Sequence, residues 1–406
     1  MASAVAGIPA LGPSERARQI EPSASMALEA RARALRMEGR PVISFGVGEP
    51  DFPTPEPIKH AATRAMAADV THYTAVGGEQ ALREAIAERT SELSGVPFQA
   101  NQVLATTGAK EALYLAFQAT CDVGDEVLIP APYWVSYAEQ ARLAGAVPVI
   151  VQTHPGAWKL SPEQLRQHLS PRTRLLVLCT PSNPTGVVYS DGELGALAAV
   201  LRDNRVGVIV DEIYARISYM PVGRWLRAAP DLADQTLIVD GVSKAYAMTG
   251  WRLGWLVGAP AIMQAAAAVQ SHLTSHPSTI TQRAALHALR SDPAVETAVD
   301  EMVHTFRQRR DAIVSALTGV AGLSCPVPDG AFYVFPDVRG LLGRPLGPKG
   351  RVVRSSQELA TYLLDEALVS TVPGEAFGTP GFVRLSYALG MDQLHEGARR
   401  IAEAFA

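Results

Sequence analysis

Short apolar runs alternate with longer stretches of helical periodicity, and this alternation constrains the fold more than any other feature of the chain. Several of the runs are continuous in Val, Ile and Leu, which is typical of parallel strands covered on both faces. The pattern predicts an α/β domain with three layers and a mostly parallel sheet of seven strands. The predicted strands lie at 102–106, 126–129, 147–151, 175–179, 206–210, 237–239 and 253–257.

The pattern changes near residue 293, where a long predicted helix (295–317) is followed by scattered strands at 331–335, 368–372 and 382–387 and a last helix. We interpret this part as a smaller α+β domain that the N-terminal segment completes. The basic stretch 339–354 is predicted to be a loop. The predicted organisation is a flexible arm at 1–13, an N-terminal part of the small domain at 14–50, a large domain at 51–292 and a small C-terminal domain at 293–406.

Composition excludes several classes of function. The net charge is −4, with acids and bases mixed along the chain, so neither a nucleic-acid face nor a basic membrane patch is expected. No run reaches the roughly 18 apolar residues of a membrane span, and the first dozen residues lack the basic region of a signal peptide. The three cysteines are widely spaced, which argues against a disulfide framework or a metal site and favours a cytoplasmic protein.

One lysine lies at the end of a predicted strand, where it could act as a nucleophile. Lys244 follows the apolar run 237–239 and precedes the run 253–257, with Ser243 before it and Arg252 eight positions after it. Burial would lower the pKa of the amine and free it to attack a carbonyl. A lysine taken at random is far more often a surface residue, so this segment alone does not decide.

Three other loops fall at predicted strand ends, where α/β sheets bind ligands. The loop 106–111 leads from a strand into a helix, and backbone N–H groups at such a helix start can hold a phosphate. The chain has no G-x-x-x-x-G-K-[ST] and no G-x-G-x-x-G, which disfavours a nucleotide. The loop 182–186 is by itself a plain Asn-Pro turn. Asp211 ends a strongly apolar strand, where it needs a cationic partner or else caps the next helix.

Together these loops supply phosphate anchors, an acid, a tyrosine and a buried lysine. A phosphorylated aldehyde on a protonated pyridine ring would use all of them. Pyridoxal 5'-phosphate is such a group, and enzymes hold it as a lysine Schiff base with an acidic residue at the ring nitrogen.

The sequence resembles the fold-type I pyridoxal-phosphate enzymes, and among them the class I aminotransferases of the bacterial aspartate aminotransferase branch. The resemblance covers nearly the whole chain, from 22 to 388. The motifs that carry it are Gly48-Glu-Pro-Asp-Phe52, Pro132-Tyr-Trp134-Val-Ser-Tyr137, Asn183-Pro-Thr-Gly186, Asp211-Glu-Ile-Tyr214, Ser243-Lys244-Ala-Tyr-Ala-Met-Thr-Gly-Trp-Arg252 and Val372-Pro-Gly-Glu-Ala-Phe-Gly378.

The resemblance implies a role at the cofactor ring for five residues. Lys244 forms the Schiff base and later moves the substrate proton. Asp211 keeps the pyridine nitrogen protonated. Tyr214 and Asn183 hydrogen-bond the ring hydroxyl, and Trp134 stacks on the ring. The residues implied at the phosphate are Gly108, Ala109, Lys110, Ser243, Arg252 and, from the partner subunit of a homodimer, Tyr73.

The resemblance also implies how substrate is held. Arg384 binds the α-carboxylate, because a planar guanidinium can donate two parallel hydrogen bonds to a carboxylate. Gly48 contributes a backbone contact to the substrate, and Trp134 and Asn183 also contact it. A distal carboxylate would meet Lys110, Ser23 and Ser25. No metal is implied.

We therefore expect an aminotransferase with a ping-pong mechanism, acting on aspartate or glutamate and on 2-oxoglutarate or oxaloacetate. Alternatives on the same fold are a lyase or synthase that performs elimination or replacement, and an aminotransferase for aromatic acids, alanine or prephenate. A serine hydrolase is disfavoured because Gly241-Val-Ser243-Lys-Ala245 lacks the last glycine of the G-x-S-x-G elbow. A catalytically inactive binding protein is disfavoured by the presence of both Lys244 and Asp211.

Overall fold

The structure is a computed structural model that describes residues 12–18, 20 and 24–405. The predicted arm at 1–13 therefore lies almost wholly outside the described residues, and so does Ser23. The chain begins with helices α1 (Glu15–Arg18) and α2 (Ala24–Met37) and strand β1 (Ile43–Ser44). Gly39 adopts a φ of +80° just after α2, which is the usual glycine conformation at the end of a helix.

Helices α3 (Glu56–Ala67) and α4 (Gln80–Ser94) lead into a seven-stranded sheet. Its strand order is β2-β8-β7-β6-β5-β3-β4, and every pairing is parallel except the two made by β8. The predicted mostly parallel sheet is confirmed. Its strands are β2 (Val103–Thr106), β3 (Glu126–Ala131), β4 (Val147–Gln152), β5 (Thr173–Cys179), β6 (Gly207–Asp211), β7 (Thr236–Gly241) and β8 (Gly254–Val257).

Helices cover both faces of this sheet. Successive residues of one strand enter different apolar clusters: Val208 and Val210 pack into one, whereas Ile209 packs into the other. Because both faces are buried, the strands are apolar throughout rather than alternating. The helices are α5 (Ala109–Thr120), α6 (Ser136–Leu143), α7 (Pro162–His168), α8 (Asp191–Leu201), α9 (Trp225–Ala228), α10 (Pro260–Ser271) and α11 (Thr279–Leu289).

The parallel strands bring three chemically active loops to one edge. Cys179 at the end of β5 is level with Asp211 at the end of β6, and Asp211 is level with Val239 in β7. The loops that follow carry Asn183 and Lys244. The carboxyl edge of such a sheet is where open α/β folds bind ligands.

The C-terminal part is built on a 26-residue helix and a small antiparallel sheet of order β13-β14-β9. Strand β1 pairs in parallel with β12, so the N-terminal segment joins this part of the fold. The boundaries predicted for the small domain, at 50 and 292, stay predictions. The elements are α12 (Pro293–Thr318), β9 (Tyr333–Val334), β10 (Pro345–Leu346), β11 (Arg351–Val352), α13 (Ser356–Glu366), β12 (Val369–Ser370), β13 (Val372–Pro373), β14 (Val383–Ser386) and α14 (Met391–Phe405).

Two local predictions were wrong here. The stretch 339–354 is not a plain loop, because β10 and β11 pair as an antiparallel hairpin. Gly347 and Gly350 supply the positive φ angles of its turn, at +61° and +59°. The single strand predicted at 368–372 is two strands, since β12 pairs with β1 and β13 pairs with β14. Within the described part of the chain, no helix has the length and apolarity needed to cross a membrane.

Candidate active site

A cavity of about 370 Å³ lies between the carboxyl edge of the sheet and the C-terminal part of the chain. It collects residues that are far apart in sequence and come from the loops singled out above. The predicted site residues that line it are Gly48, Ala109, Lys110, Trp134, Asn183, Asp211, Tyr214, Ser243, Lys244, Arg252 and Arg384.

Lys244 enters the cavity from the loop after β7. Its Nζ donates a hydrogen bond to the carbonyl oxygen of Gly48. The pKa of the amine is lowered to about 8, chiefly by desolvation and to a smaller extent by the charges of Arg384 and Arg252, whereas Glu49 and Asp211 oppose this shift. A substantial fraction of the amine is therefore neutral near pH 8, which is the form that attacks a carbonyl.

Asp211 ends β6 and is buried, with 4% of its surface exposed. Tyr137 Oη donates to its Oδ2 at 2.6 Å, and the Ile213 N–H donates to its Oδ1 at 3.1 Å. Burial raises the pKa of this carboxyl to about 6, while the Tyr137 and Ile213 hydrogen bonds act against that rise. No α-helix follows within the next ten residues, so the helix-cap interpretation does not apply. Among described residues, no cation lies within ion-pair distance of Asp211.

The start of α5 and Arg252 form one end of the cavity. Gly108 is the N-cap of α5 with a φ of +85°, and a Cβ there would lie 2.6 Å from Arg252 Nη2. A Cβ on Gly254 would collide with the backbone of Ala109. The two glycines thus allow the guanidinium and the helix start to approach closely. Ser243 is buried and lines the same cavity, so the cavity offers a helix N-terminus, a hydroxyl and a cation to an anionic group.

Lys110 and Trp134 stand next to each other at the cavity wall. Lys110 Nζ lies 5.0 Å from the centroid of the Trp134 ring, a cation–π contact. Partial desolvation, and then the Arg252 cation, hold the pKa of Lys110 below its usual value. A second cation at this position is therefore available to an anion that also contacts the indole.

Arg384 is buried on strand β14, with 7% of its surface exposed. Its Nη1 donates to Asn183 Oδ1 at 3.0 Å and its Nη2 to the Gly46 carbonyl at 2.8 Å. Nε is buried without a hydrogen-bond partner in the described structure, and no carboxylate there pairs with this guanidinium. The cation stands 4.5 Å from the centroid of the Tyr333 ring. A buried cation without its own anion is a suitable site for a carboxylate ligand.

Tyr214 lines the cavity near Arg384. Its hydroxyl is 2.8 Å from that of Tyr333, and burial raises its pKa well above the ordinary value. It is therefore a neutral hydrogen-bonding group at physiological pH. Asn183, predicted to act beside it, is buried and accepts its hydrogen bond from Arg384.

Some predicted residues stand apart from the cavity. Tyr73 is 92% exposed and contacts His276 edge to face, with ring centroids 5.5 Å apart. Gly108 does not line the cavity but packs against Arg252, which does. Ser23 lies outside the described residues, and the side chain of Ser25 is not described.

The lining residues that the sequence-based assignment missed include Tyr137, Cys179 and Tyr333. Tyr137 is the last residue of the motif at 132–137 and follows Trp134 by three positions. In a helical turn this spacing puts the two side chains on the same side, so the sequence could have placed Tyr137 near Trp134. Cys179 ends the strand next to Asp211, and Tyr333 falls within a predicted strand. Neither position carries a signal of function in the sequence alone.

The charge of the cavity is strongly one-sided. Among its lining residues four are cations (Lys110, Lys244, Arg252 and Arg384) and one, Asp211, is an acid. The single acid, Asp211, forms no ion pair with a cation of the described structure and suits a protonated ring nitrogen. A phosphorylated pyridine aldehyde with a carboxylate substrate fits this set of donors, cations and one carboxylate.

Comparisons with known proteins agree with this chemistry. The family model for aminotransferase class I and II matches residues 40–401. Aspartate aminotransferase of Streptomyces avermitilis is 46% identical over 397 residues, covering 96% of this chain and 95% of that protein. Aspartate/prephenate aminotransferase of Nitrosomonas europaea is 42% identical, covering 96% and 98%. The crystal structure of aspartate aminotransferase from Rhizobium meliloti has a TM-score of 0.93 at 40% identity, covering 97% and 98%.

These matches extend over nearly the full length of the chain, and they include the cavity and the sheet edge that forms it. The chain therefore belongs to the class I and II aminotransferases, enzymes that pass amino groups between amino acids and 2-oxo acids with pyridoxal 5'-phosphate as cofactor.

Proposed function

We propose that this aminotransferase prefers dicarboxylic substrates, with aspartate or glutamate as donor and 2-oxoglutarate or oxaloacetate as acceptor. The observation that carries the proposal is the excess of cations in the cavity. The cofactor phosphate accounts for Arg252 at the start of α5. Arg384 and Lys110 then remain for two carboxylates. The relatives named aspartate aminotransferase support this preference.

The cofactor, when bound, supplies an electron-accepting ring and a carbonyl carbon through which amino groups are exchanged. In our proposal Lys244 Nζ holds it and then carries the substrate proton, for which the lowered pKa suits it. Asp211 pairs with the protonated ring nitrogen. Tyr214 and Asn183 serve the ring hydroxyl, and Trp134 covers the ring. Gly108, Ala109, Ser243, Arg252 and the backbone of Lys110 surround the phosphate, which leaves the Lys110 side chain for substrate.

In the same proposal, two cations divide the substrate between them. Arg384 takes the α-carboxylate, because its guanidinium is buried, fixed by Asn183 and Gly46, and not neutralised by a described acid. Lys110, whose Nζ lies over the Trp134 ring, takes the distal carboxylate, aided by Ser23 and Ser25. Gly48 lies against the Tyr333 hydroxyl, where a Cβ would be 2.8 Å from the oxygen, so a side chain at this position would displace the Tyr333 hydroxyl.

The test of this proposal is a screen of half-reactions. The yellow enzyme is mixed with single amino acids, and conversion to the pyridoxamine form is followed by absorbance. Aspartate and glutamate are expected to convert it at least about tenfold more efficiently than alanine or phenylalanine, the discrimination that about 1.4 kcal/mol provides. Faster conversion by alanine or phenylalanine would contradict the dicarboxylate preference, and released ammonia would indicate elimination.

Removing each cation in turn should separate the two carboxylate contacts. Arg384→Ala is expected to raise KM for aspartate and for alanine alike by about 100-fold, since a charged hydrogen bond contributes about 3 kcal/mol. Lys110→Ala is expected to raise KM for aspartate while leaving KM for alanine within about threefold, because alanine has no distal carboxylate. Steady-state kinetics with both substrates measures these effects. Equal losses for both substrates in Lys110→Ala would assign Lys110 to the phosphate alone.

Prephenate is a second candidate acceptor, since relatives from Nitrosomonas europaea and Cereibacter sphaeroides are named aspartate/prephenate aminotransferases. Prephenate also carries two carboxylates, so the same pair of cations could hold it. Return of the yellow form when prephenate is added to the pyridoxamine form would support this activity.

We also propose a homodimer in which Tyr73 reaches the phosphate of the partner subunit. The 92% exposure of this large aromatic side chain supports the proposal, because it leaves the ring free to be covered by a partner subunit. No nucleic-acid or membrane partner is proposed. A cytoplasmic location is proposed from the three cysteines, which are free in the structure.

A further inference from the structure

We infer that Tyr137 is a positioning residue, which holds the Asp211 carboxylate in its ionised form and directs it into the cavity through the hydrogen bond from Oη to Oδ2. The inference rests on the proposed pairing of Asp211 with the cofactor ring nitrogen. Tyr137 does not need to touch the substrate or the reacting atoms for this role. It acts through Asp211.

The contact is short, buried and specific. Tyr137 is 2% exposed, and its hydroxyl lies 2.6 Å from Asp211 Oδ2. The other oxygen, Oδ1, accepts from the Ile213 amide at 3.1 Å. Each carboxylate oxygen thus accepts one hydrogen bond from the protein and keeps a second acceptor position free. Two fixed points define the plane of the carboxylate, and both Asp211 and Tyr137 line the cavity.

A tyrosine suits this position because it is a donor without charge. Burial disfavours the ionised carboxylate, and in the described structure no cation pairs with it, so a hydrogen-bond donor is needed to stabilise the anion. A lysine or arginine here would neutralise Asp211 and compete with the ring nitrogen. The pKa of Tyr137 is raised well above its ordinary value by burial and by the Asp211 charge, so its hydroxyl remains a donor throughout the working range of pH.

The other groups near Asp211 do not replace this donor. Burial raises the pKa of the Cys179 thiol far above neutral pH, so the thiol carries no charge. The charge of Glu212 opposes ionisation of Asp211, and the charge of Lys244 favours it more weakly than Tyr137 does. Tyr137 is the strongest stabilising influence on the anion.

The start of α6 fixes the tyrosine ring. The Tyr137 amide donates to the Trp134 carbonyl at 3.0 Å, which places the two side chains one turn apart. Their rings meet edge to face, with centroids 5.4 Å apart and an interplanar angle of 80°. One helical turn therefore supplies both the residue proposed to cover the ring and the residue that orients Asp211.

The experiment is a pH series of cofactor affinity. Holoenzyme is dialysed against buffers of defined pyridoxal 5'-phosphate concentration at pH 6 and pH 8.5, which gives Kd for wild type and Tyr137→Phe. Loss of the Tyr137 hydrogen bond is expected to raise the pKa of Asp211 above its value of about 6, so that less of the carboxylate is ionised at pH 6. The variant is then expected to bind about fivefold more weakly than wild type at pH 6 and nearly equally at pH 8.5.

Tyr362→Phe is the matched control, because Tyr362 is also buried and donates one hydrogen bond, to the Ala404 carbonyl at 2.7 Å, away from the cavity. Its Kd should follow wild type at both pH values. The inference would be overturned if the ratio of the Tyr137→Phe Kd to the wild-type Kd were the same at pH 6 and pH 8.5. Tyr137→Gln keeps a neutral donor, so at pH 6 its Kd relative to wild type should be smaller than that of Tyr137→Phe. A relative Kd equal to or larger than that of Tyr137→Phe would also overturn the inference.

Asp211→Asn separates this inference from the proposed function beneath it. If Asp211 pairs with the cofactor, this variant is expected to bind more weakly than wild type at both pH values. Wild-type affinity in Asp211→Asn would overturn the proposed pairing, and the role of Tyr137 with it. Weak binding by Asp211→Asn together with unchanged binding by Tyr137→Phe would overturn the role of Tyr137 alone.

Discussion

Lys244→Ala is expected to reduce transamination by roughly 10⁴-fold or more, because the variant lacks both the amine that holds the cofactor and the base that moves the substrate proton. The amine is suited to both tasks by its lowered pKa of about 8. The variant should also lose the adduct that borohydride traps between enzyme and cofactor. Mass spectrometry of the reduced protein measures that loss directly, independently of turnover.

Lys349→Ala is the control for this prediction, since Lys349 is an exposed lysine paired with Glu366 and far from the cavity. It should retain the trapped adduct and full activity. A wild-type level of adduct in Lys244→Ala would show that another amine holds the cofactor, and would contradict the assignment.

Asp211→Asn is expected to lower kcat by 10²- to 10⁴-fold, a loss of about 3 to 5 kcal/mol in transition-state stabilisation. Asparagine has the shape of aspartate and its amide oxygen can still accept a hydrogen bond, so the charge is the main property removed. The proton-transfer step should become more rate-limiting. A larger kinetic isotope effect with α-deuterated aspartate measures this, whereas an unchanged isotope effect and rate would contradict the role of Asp211.

The same substitution should make the cofactor-free protein more stable at alkaline pH. The folded pKa of Asp211, about 6, is raised above the usual 3.8. Between these values the folded state binds more protons than the unfolded state, so stability falls as pH rises and then stays level above about pH 6. Removing the ionised group should raise the free energy of unfolding by about 3 kcal/mol at pH 8 and by much less at pH 4. Urea unfolding at the two pH values measures the difference.

Sequence reasoning predicted the sheet well because burial on both faces leaves a direct mark on composition. The run 206–210 and its neighbours are apolar throughout, and each is a strand or overlaps one. The stretch 339–354 was misread because its basic and glycine residues resemble a loop, whereas the turn at Gly347 and Gly350 brings two short strands together. Such pairing depends on backbone angles that composition does not record.

The site was predictable where chemistry demands a rare residue at a strand end, as with Lys244 and Asp211. It was less predictable where a contact joins distant parts of the chain. Arg384 has the sequence context of an ordinary strand arginine, and its bonds to Asn183 and Gly46 arise only after folding. Tyr137 is similar, since its role depends on a partner 74 positions away.

Two backbone carbonyls in the segment 46–48 accept hydrogen bonds from the cationic side chains of the active site. Lys244 donates to the carbonyl of Gly48, and Arg384 donates to the carbonyl of Gly46. Because both acceptors belong to the main chain, no side-chain replacement deletes them, and an alanine scan would assign this segment only steric effects. Amide-to-ester substitution at residues 47 and 49 would weaken the two carbonyl acceptors, since an ester carbonyl is the poorer acceptor. Chemical ligation of a synthetic N-terminal segment is therefore the route by which this part of the active site can be tuned.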